Sequence, residues 1–384
     1  MTTRRQFIAS TIVGVVGTLL VGRRAFADQP SGAYEASPTV VPPVKAASAP
    51  KDTIDWHNHW VSPGALKVLE GINYTPVSPR PIGAPSPSAP RPGSTMLQDI
   101  GARLEHLDRI GIGRQVISWA TTTGWDAVLS AEQAKPLWTA FNDDLAALVR
   151  QYPLRFSGYA ALTTADIEWS AGELERAYRD LGLIGAVLPV GAFQTLEGAR
   201  RLTPIFDVTQ KHRGIIYVHS GPAHPLIPGQ TVLDSQEDDA PEIRFDLEWS
   251  ATYARGITTV TQTDFLDAYP DVTVQVAMLG GLGPFLFEAL TTGPKPSGSH
   301  SDAKSSLRRI YLDASTSRGP HLLELAAKAI GADRILFGSD YGAVPNIAPV
   351  VAAVQGSKLT DIEQQQIFVG NGQDLFARVA RLRL

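Results

Sequence analysis

Cysteine is absent from the 384-residue chain. That excludes disulfides, cysteine-held iron–sulfur clusters and thiolate catalysis. Any metal ion must then sit on histidine, carboxylate or water. A strong charge of one sign is lacking too: 34 Lys and Arg stand against 38 Asp and Glu, a formal net charge of −4. This balance gives no reason to expect nucleic acid or an anionic membrane as partner. What remains is ordinary globular composition, 43% hydrophobic and 19% charged, with ample length for a large core.

The first residues read as targeting rather than fold. Thr3-Arg4-Arg5-Gln6-Phe7-Ile8 is a twin-arginine pattern, followed by an apolar run over residues 8–22 and the small-x-small site Ala25-Phe26-Ala27. A membrane anchor is the competing reading, but about 15 apolar residues are short for a span of about 20. The pattern predicts export through the twin-arginine machinery to the periplasm, with cleavage after Ala27. Removing residues 1–27 with their four arginines takes the formal charge from −4 to −8. That export route carries proteins already folded around a cofactor, which suits a metalloprotein.

Residues 28–50, rich in Pro, Ala, Ser and Val, read as a flexible tether, and 51–384 as the folded body. Strand one carries Asp55-Trp56-His57-Asn58-His59-Trp60. Period-two alternation puts Asp55, His57 and His59 on one face. A Pro-rich stretch from Pro76 to Pro92 follows, a lid or a plain surface loop inserted after strand one. Helical spacing is then expected over 97–110, 131–152, 166–181, 196–213, 244–269, 286–292, 321–330 and from 362 onward. Strands are expected at 115–119, 156–162, 184–190, 214–219, 272–279, 309–314 and 334–338. Eight strands alternating with helices predict a (β/α)₈ TIM barrel. A doubly wound open sheet is the alternative, but it would need a glycine-rich turn after strand one, where the histidines stand. The glycines of Leu279-Gly280-Gly281-Leu282-Gly283-Pro284 lack phosphate-cradle spacing and read as close backbone packing.

Barrels of this kind carry their chemistry at the C-terminal strand ends. Strand one ends in His57 and His59, strand five in His219, strand eight in Asp340. Singly, each has a bland account: a core histidine on a backbone carbonyl, or an aspartate capping a helix. Together they make a donor set suited to a divalent ion such as Zn²⁺. The tryptophans Trp56, Trp60 and Trp125 read as core rather than substrate pocket. Arg318 either meets a substrate carboxylate or takes a surface or helix-cap place. His106, His212, His300 and His321 fall away from strand ends and receive no role.

The same residues carry a resemblance. Asp55-Trp56-His57-Asn58-His59, His219 and Ala332-Asp333-Arg334-Ile335-Leu336-Phe337-Gly338-Ser339-Asp340-Tyr341 resemble the amidohydrolase superfamily. More narrowly, they resemble its amidohydrolase-related branch, which includes aminocarboxymuconate-semialdehyde decarboxylase and related aromatic-acid decarboxylases. The resemblance spans residue 52 to the C-terminus. It implies His57, His59, His219 and Asp340 as ligands of one metal ion, with Asp340 also the catalytic residue. Strand four (Ala186-Val187-Leu188-Pro189-Val190) has no lysine for a carboxylated bridge, which agrees with a single ion. One departure stands out: the branch places a histidine ahead of the glycines after strand six, and here Met278 is there. A thioether moves no proton at neutral pH. His224, in the loop after strand five, is a possible substitute.

Three functions follow. The first is metal-dependent non-oxidative decarboxylation of an aromatic or unsaturated carboxylic acid. The second is hydrolysis of a lactone, ester or amide by an activated water, which the loss at Met278 weakens. The third is an inactive periplasmic binding relative. The expected partner is a small carboxylic acid or lactone, and a homo-oligomer stays open.

Overall fold

Eight parallel strands pair in chain order: β1 (Thr53–His59), β2 (Ile112–Ser118), β3 (Phe156–Ala161), β4 (Gly185–Pro189), β5 (Ile215–His219), β6 (Thr273–Val276), β7 (Ile310–Asp313) and β8 (Ile335–Leu336). The computed structural model describes residues 48–72, 95–230, 241–292, 303–315 and 319–380. The leader with its cleavage site, most of the tether, the Pro76–Pro92 stretch, His300 and Arg318 lie outside these. Residues 48–50, at the tether's end, already join the body: Ala49 is buried and its N–H donates to the Ile110 carbonyl at 2.7 Å.

The sheet curls into a nearly closed barrel, as the strand–helix alternation predicts. Its last seam is made by the chain beyond β8. Trp56 N–H bonds the Phe337 carbonyl at 2.8 Å, His59 N–H the Tyr341 carbonyl at 2.7 Å, and Asp340 N–H the His57 carbonyl at 2.7 Å. Among the described residues no helix is long and apolar enough to cross a membrane.

Local chemistry sets the helices between the strands. Asp99 caps the helix Ile100–Ile110, accepting from the N–H groups of Gly101 and Ala102, and Gly111 ends it at φ 93°. Ser130 and Gln133 form a capping box on the helix Ala131–Gln151. Where 196–213 reads as one helix, the chain makes two, Leu196–Arg201 and Thr203–Lys211. Pro204 lacks the N–H that would continue the first. The expected helix 244–269 likewise ends as Pro241–Gln262, followed by a 3₁₀ turn at Phe265–Ala268. At the glycine run, a Cβ on Gly281 would stand 2.5 Å from the Ser250 carbonyl oxygen, the close packing expected there.

Apolar strand and helix faces meet in one continuous core. Trp56 packs on Phe376 with ring centroids 4.8 Å apart, and Trp60 on Phe141 at 6.4 Å. Both are core residues, as the sequence suggests. Trp125 is in the core as well, and with Trp119, Trp138, Thr121 and Asp126 it also lines a cleft at the C-terminal ends of β2–β4.

Candidate metal centre

The barrel brings together the side chains that the strand-end rule selects. His57 Nε2 lies 3.2 Å from His59 Nε2 and 3.1 Å from His219 Nε2. Asp340 Oδ1 lies 3.3 Å from the Nε2 atoms of both His57 and His59. The three histidines are buried, and the Asp340 side chain is 16% exposed, the most open of the four. Two donors about 2.1 Å from one ion, at roughly 100°, stand about 3.2 Å apart. The cage therefore has the dimensions of a single-ion site.

The far nitrogen of each ring decides what faces that centre. His57 Nδ1 meets Asp313 Oδ1 at 3.0 Å. His219 Nδ1 meets Thr121 Oγ1 at 2.8 Å, and that hydroxyl already donates to the Ser220 carbonyl, so it accepts from the ring. His59 Nδ1 meets Ser118 Oγ at 3.2 Å, where the hydroxyl donates to the Asn58 carbonyl. When neutral, each of the three rings keeps its proton on Nδ1 and aims an Nε2 lone pair at the same point. Three lone pairs and a carboxylate oxygen converging in a buried space need a cation.

The electrostatics agree. Burial pushes His59 and His219 below the ordinary histidine range. Burial also works against a charged His57, but Asp313 and Asp340 outweigh it and raise its pKa to about 10. Without an ion, one proton on His57 takes the cation's place. Burial opposes charge on Asp340 and Asp313 as well, yet His57 holds both below the usual carboxylate range.

Asp340 is delivered by a strained turn. Its φ is 59°, a left-handed conformation that aspartate tolerates better than most residues. Ser339 and Asp340 both give their N–H groups to the His57 carbonyl, at 3.1 and 2.7 Å. Asp55 anchors the same turn: its carboxylate accepts from Ser339 N–H at 2.9 Å and Ser339 Oγ–H at 2.7 Å. Burial raises the Asp55 pKa to about 6 against those bonds.

Met278 stands beside the centre through its backbone. Its φ is 57°, and its N–H faces Asp313 Oδ1 and Ser315 Oγ, each at 3.2 Å. His224 is buried in the loop beyond β5. Its Nδ1 accepts from Leu226 N–H at 3.2 Å, and among the described residues none of its hydrogen bonds reaches the cage. Of the histidines without a role, His212 pairs with Glu175 at 2.8 Å and His106 stacks on Tyr341.

Sequence reasoning missed Asp313. It closes β7 as His219 closes β5, so the strand-end rule that found the others applies to it equally. Ser118 and Thr121 carry no comparable signal, since hydroxyl residues are common at strand ends and in loops.

Comparison with known proteins shows the family. The Amidohydro_2 (amidohydrolase) family model matches residues 54–378. A gamma-resorcylate decarboxylase of Polaromonas sp. is 26% identical over 314 residues, covering 76% of this chain and 91% of that one. A 6-methylsalicylic acid decarboxylase of Penicillium expansum is 22% identical over 339 residues, covering 85% and 96%. Among solved structures, a dihydroxybenzoic acid decarboxylase from Polaromonas sp., with bound manganese and the inhibitor 2-nitroresorcinol, superposes with a TM-score of 0.65. It is 21% identical and covers 85% of this chain and 97% of that one.

Proposed function

Because the chain belongs to the amidohydrolase family, we propose that it is a metal-dependent decarboxylase acting on an aromatic acid with a hydroxyl beside the carboxyl group. Its ligands would be His57, His59, His219 and Asp340 around one divalent ion. The donor set of three imidazoles and one carboxylate suits Zn²⁺ and also the Mn²⁺ that a solved relative holds. The acids named for the relatives, gamma-resorcylic and 6-methylsalicylic, both have that hydroxyl.

One observation carries this reading over hydrolysis. Each cage histidine has its second nitrogen committed, to Asp313, Ser118 or Thr121, so none is free to shuttle a proton. Met278 cannot do so either. Among the described residues Asp340 is the proton carrier the cage leaves at its mouth, and decarboxylation moves one proton without needing an activated water.

When bound, the ion supplies positive charge against the substrate carboxylate and its neighbouring oxygen. Asp340, held as a carboxylate, takes the proton of the substrate hydroxyl and delivers it to the ring carbon bearing the carboxyl group. The bond from that carbon to the carboxylate then breaks, its electron pair restores the aromatic ring, and CO₂ leaves. The phenolate product regains a proton from solvent. The strained turn at Asp340 and its two bonds to the His57 carbonyl fix the carboxylate while it does this.

The test is turnover of 2,6-dihydroxybenzoate by metal-loaded protein, followed as CO₂ release and arene formation. In D₂O the product should carry one deuterium at the vacated carbon. Acid release from lactones or esters without CO₂ would replace this reading with hydrolysis. Metal-free protein without turnover on any of these would leave a binding role. We further infer that residues 1–27 direct export by the twin-arginine route, and N-terminal sequencing of secreted protein tests the cut after Ala27.

A further inference from the structure

Arg103 is fully buried, on the helix Ile100–Ile110 behind the barrel wall, and takes no part in the proposed reaction. A buried guanidinium is costly, and a neutral side chain of similar size would be cheaper for folding alone. Yet its donors go to three separate places. Nε donates to Gln115 Oε1 at 2.8 Å, Nη1 to the His59 carbonyl at 2.9 Å, and Nη2 to Asn58 Oδ1 at 2.8 Å. The guanidinium also lies 5.1 Å from the centroid of the Tyr341 ring. Every one of these partners touches the seam that carries Asp340.

The connections can be followed atom by atom. Gln115 Nε2–H donates to Asp55 Oδ2 at 2.7 Å, so one amide links the buried cation to the buried carboxylate. Asp55 in turn holds Ser339 by backbone and side chain, and Ser339 Oγ accepts from Tyr341 N–H at 3.0 Å. Asp340 sits between those two residues. Asn58 is pinned as well: its Nδ2 donates to the carbonyls of Asp55 and Val116, both at 3.1 Å. A Cβ on Gly342 would stand 2.5 Å from the His59 carbonyl oxygen that Arg103 holds, so the seam has no slack there.

We propose that Arg103 is a positioning residue for the metal centre: by gripping His59, Asn58 and Gln115 at once it sets the β1–β8 seam, and with it the place of Asp340. This rests on the cage being a metal site and is independent of which reaction the cage performs. Lysine keeps the charge but loses the planar fork, so it cannot hold three acceptors in fixed directions.

The experiment compares Arg103→Lys with the parent protein, using chelator competition for Mn²⁺ and Zn²⁺ and the visible spectrum of the Co²⁺-loaded protein. Arg103→Lys should bind metal about 10- to 100-fold more weakly and shift the Co²⁺ bands, as expected when a group orienting the ligands is lost. Arg309→Lys is the control for a purely structural arginine. It holds the Leu266 and Tyr269 carbonyls at 2.6 Å far from the cage, and should leave affinity and spectrum unchanged. If Arg103→Lys does not fold, Gln115→Met decides, because it cuts the link to Asp55 and keeps Arg103. Unchanged metal affinity and Co²⁺ bands in the folded variant would overturn the proposal. Since no substrate enters these measurements, a failed decarboxylation assay leaves their outcome untouched.

Discussion

Asp313 Oδ1 stands 3.0 Å from His57 Nδ1, and both residues are buried. The same oxygen faces Met278 N–H at 3.2 Å and Ser315 Oγ–H at 2.6 Å, while Oδ2 accepts from Gln275 Nε2–H at 2.9 Å. Every neighbour of this carboxylate is therefore a donor. In Asp313→Asn the new NH₂ must face a donor whichever way the amide turns. The variant should lose about 2 kcal/mol of stability and bind metal about 10- to 100-fold more weakly. Denaturant melts and chelator competition measure both, and parental metal affinity would show that Asp313 does not orient His57.

Asp340→Asn separates holding the ion from moving the proton. Three imidazoles remain, so the variant should still take up one equivalent of divalent metal, more weakly than the parent. Turnover should fall by about 10² to 10⁴, the usual worth of a general acid–base group. Metal content by elemental analysis alongside kcat gives the split. A variant that keeps kcat within a few-fold would remove Asp340 from the proton path.

The pH behaviour of ion-free protein follows from His57, whose pKa is raised from 6.5 to about 10 by Asp313 and Asp340 against burial. A raised histidine pKa means the folded state binds the proton more tightly than the unfolded one. That stabilisation is fully present below pH 6.5 and is lost as pH rises through about 10. Apo protein should therefore melt at progressively lower temperature between those limits, and metal-loaded protein should not. Metal uptake must also release this proton, so apparent affinity should rise with pH over the same window. Calorimetry of both forms at several pH values tests the two trends together.

His57, His59, His219 and Asp340 were legible in the sequence because barrel topology sends every strand end to one mouth. Knowing the strands was enough to know which residues meet. Asp313 obeys the same rule, but a lone aspartate in Tyr311-Leu312-Asp313-Ala314 carries no motif to draw attention. The backbone role of Met278 was not legible, since it depends on φ values of 57° and 49° at Met278 and Leu279 that no side-chain pattern encodes. β8 is shorter than the strand expected at 334–338. The chain beyond it leaves regular pairing to make the turn that presents Asp340, a local departure serving the site.

Met278→Leu tests whether the sulfur matters. The thioether moves no proton, and Leu preserves the volume of this half-buried side chain without disturbing the N–H that faces Asp313. Turnover should stay within about three-fold of the parent, given how little such volume-conserving swaps disturb packing. A hundred-fold loss would assign Met278 a direct part in substrate binding.

Asp126 carries the final prediction, because it ties loops from three strands. It follows β2 and accepts from Thr163 Oγ1–H and Thr164 N–H, each at 2.8 Å, and from the Thr164 hydroxyl, all beyond β3. Thr164 Oγ1 in turn accepts from the N–H of His224 beyond β5, at 2.7 Å. Burial raises the Asp126 pKa, so its charge is only partly offset by these donors. Asp126→Ala strands three buried donors and should cost about 2–4 kcal/mol, while Asp126→Asn keeps one acceptor oxygen and should cost about half as much. Neither touches the cage, so both should retain one equivalent of metal. Because Asp126 also lines the cleft with Trp119, Trp125 and Trp138, the damage in turnover should appear in KM more than in kcat. Urea melts with metal analysis decide: an alanine variant as stable as the parent would mean the three loops hold together without this carboxylate.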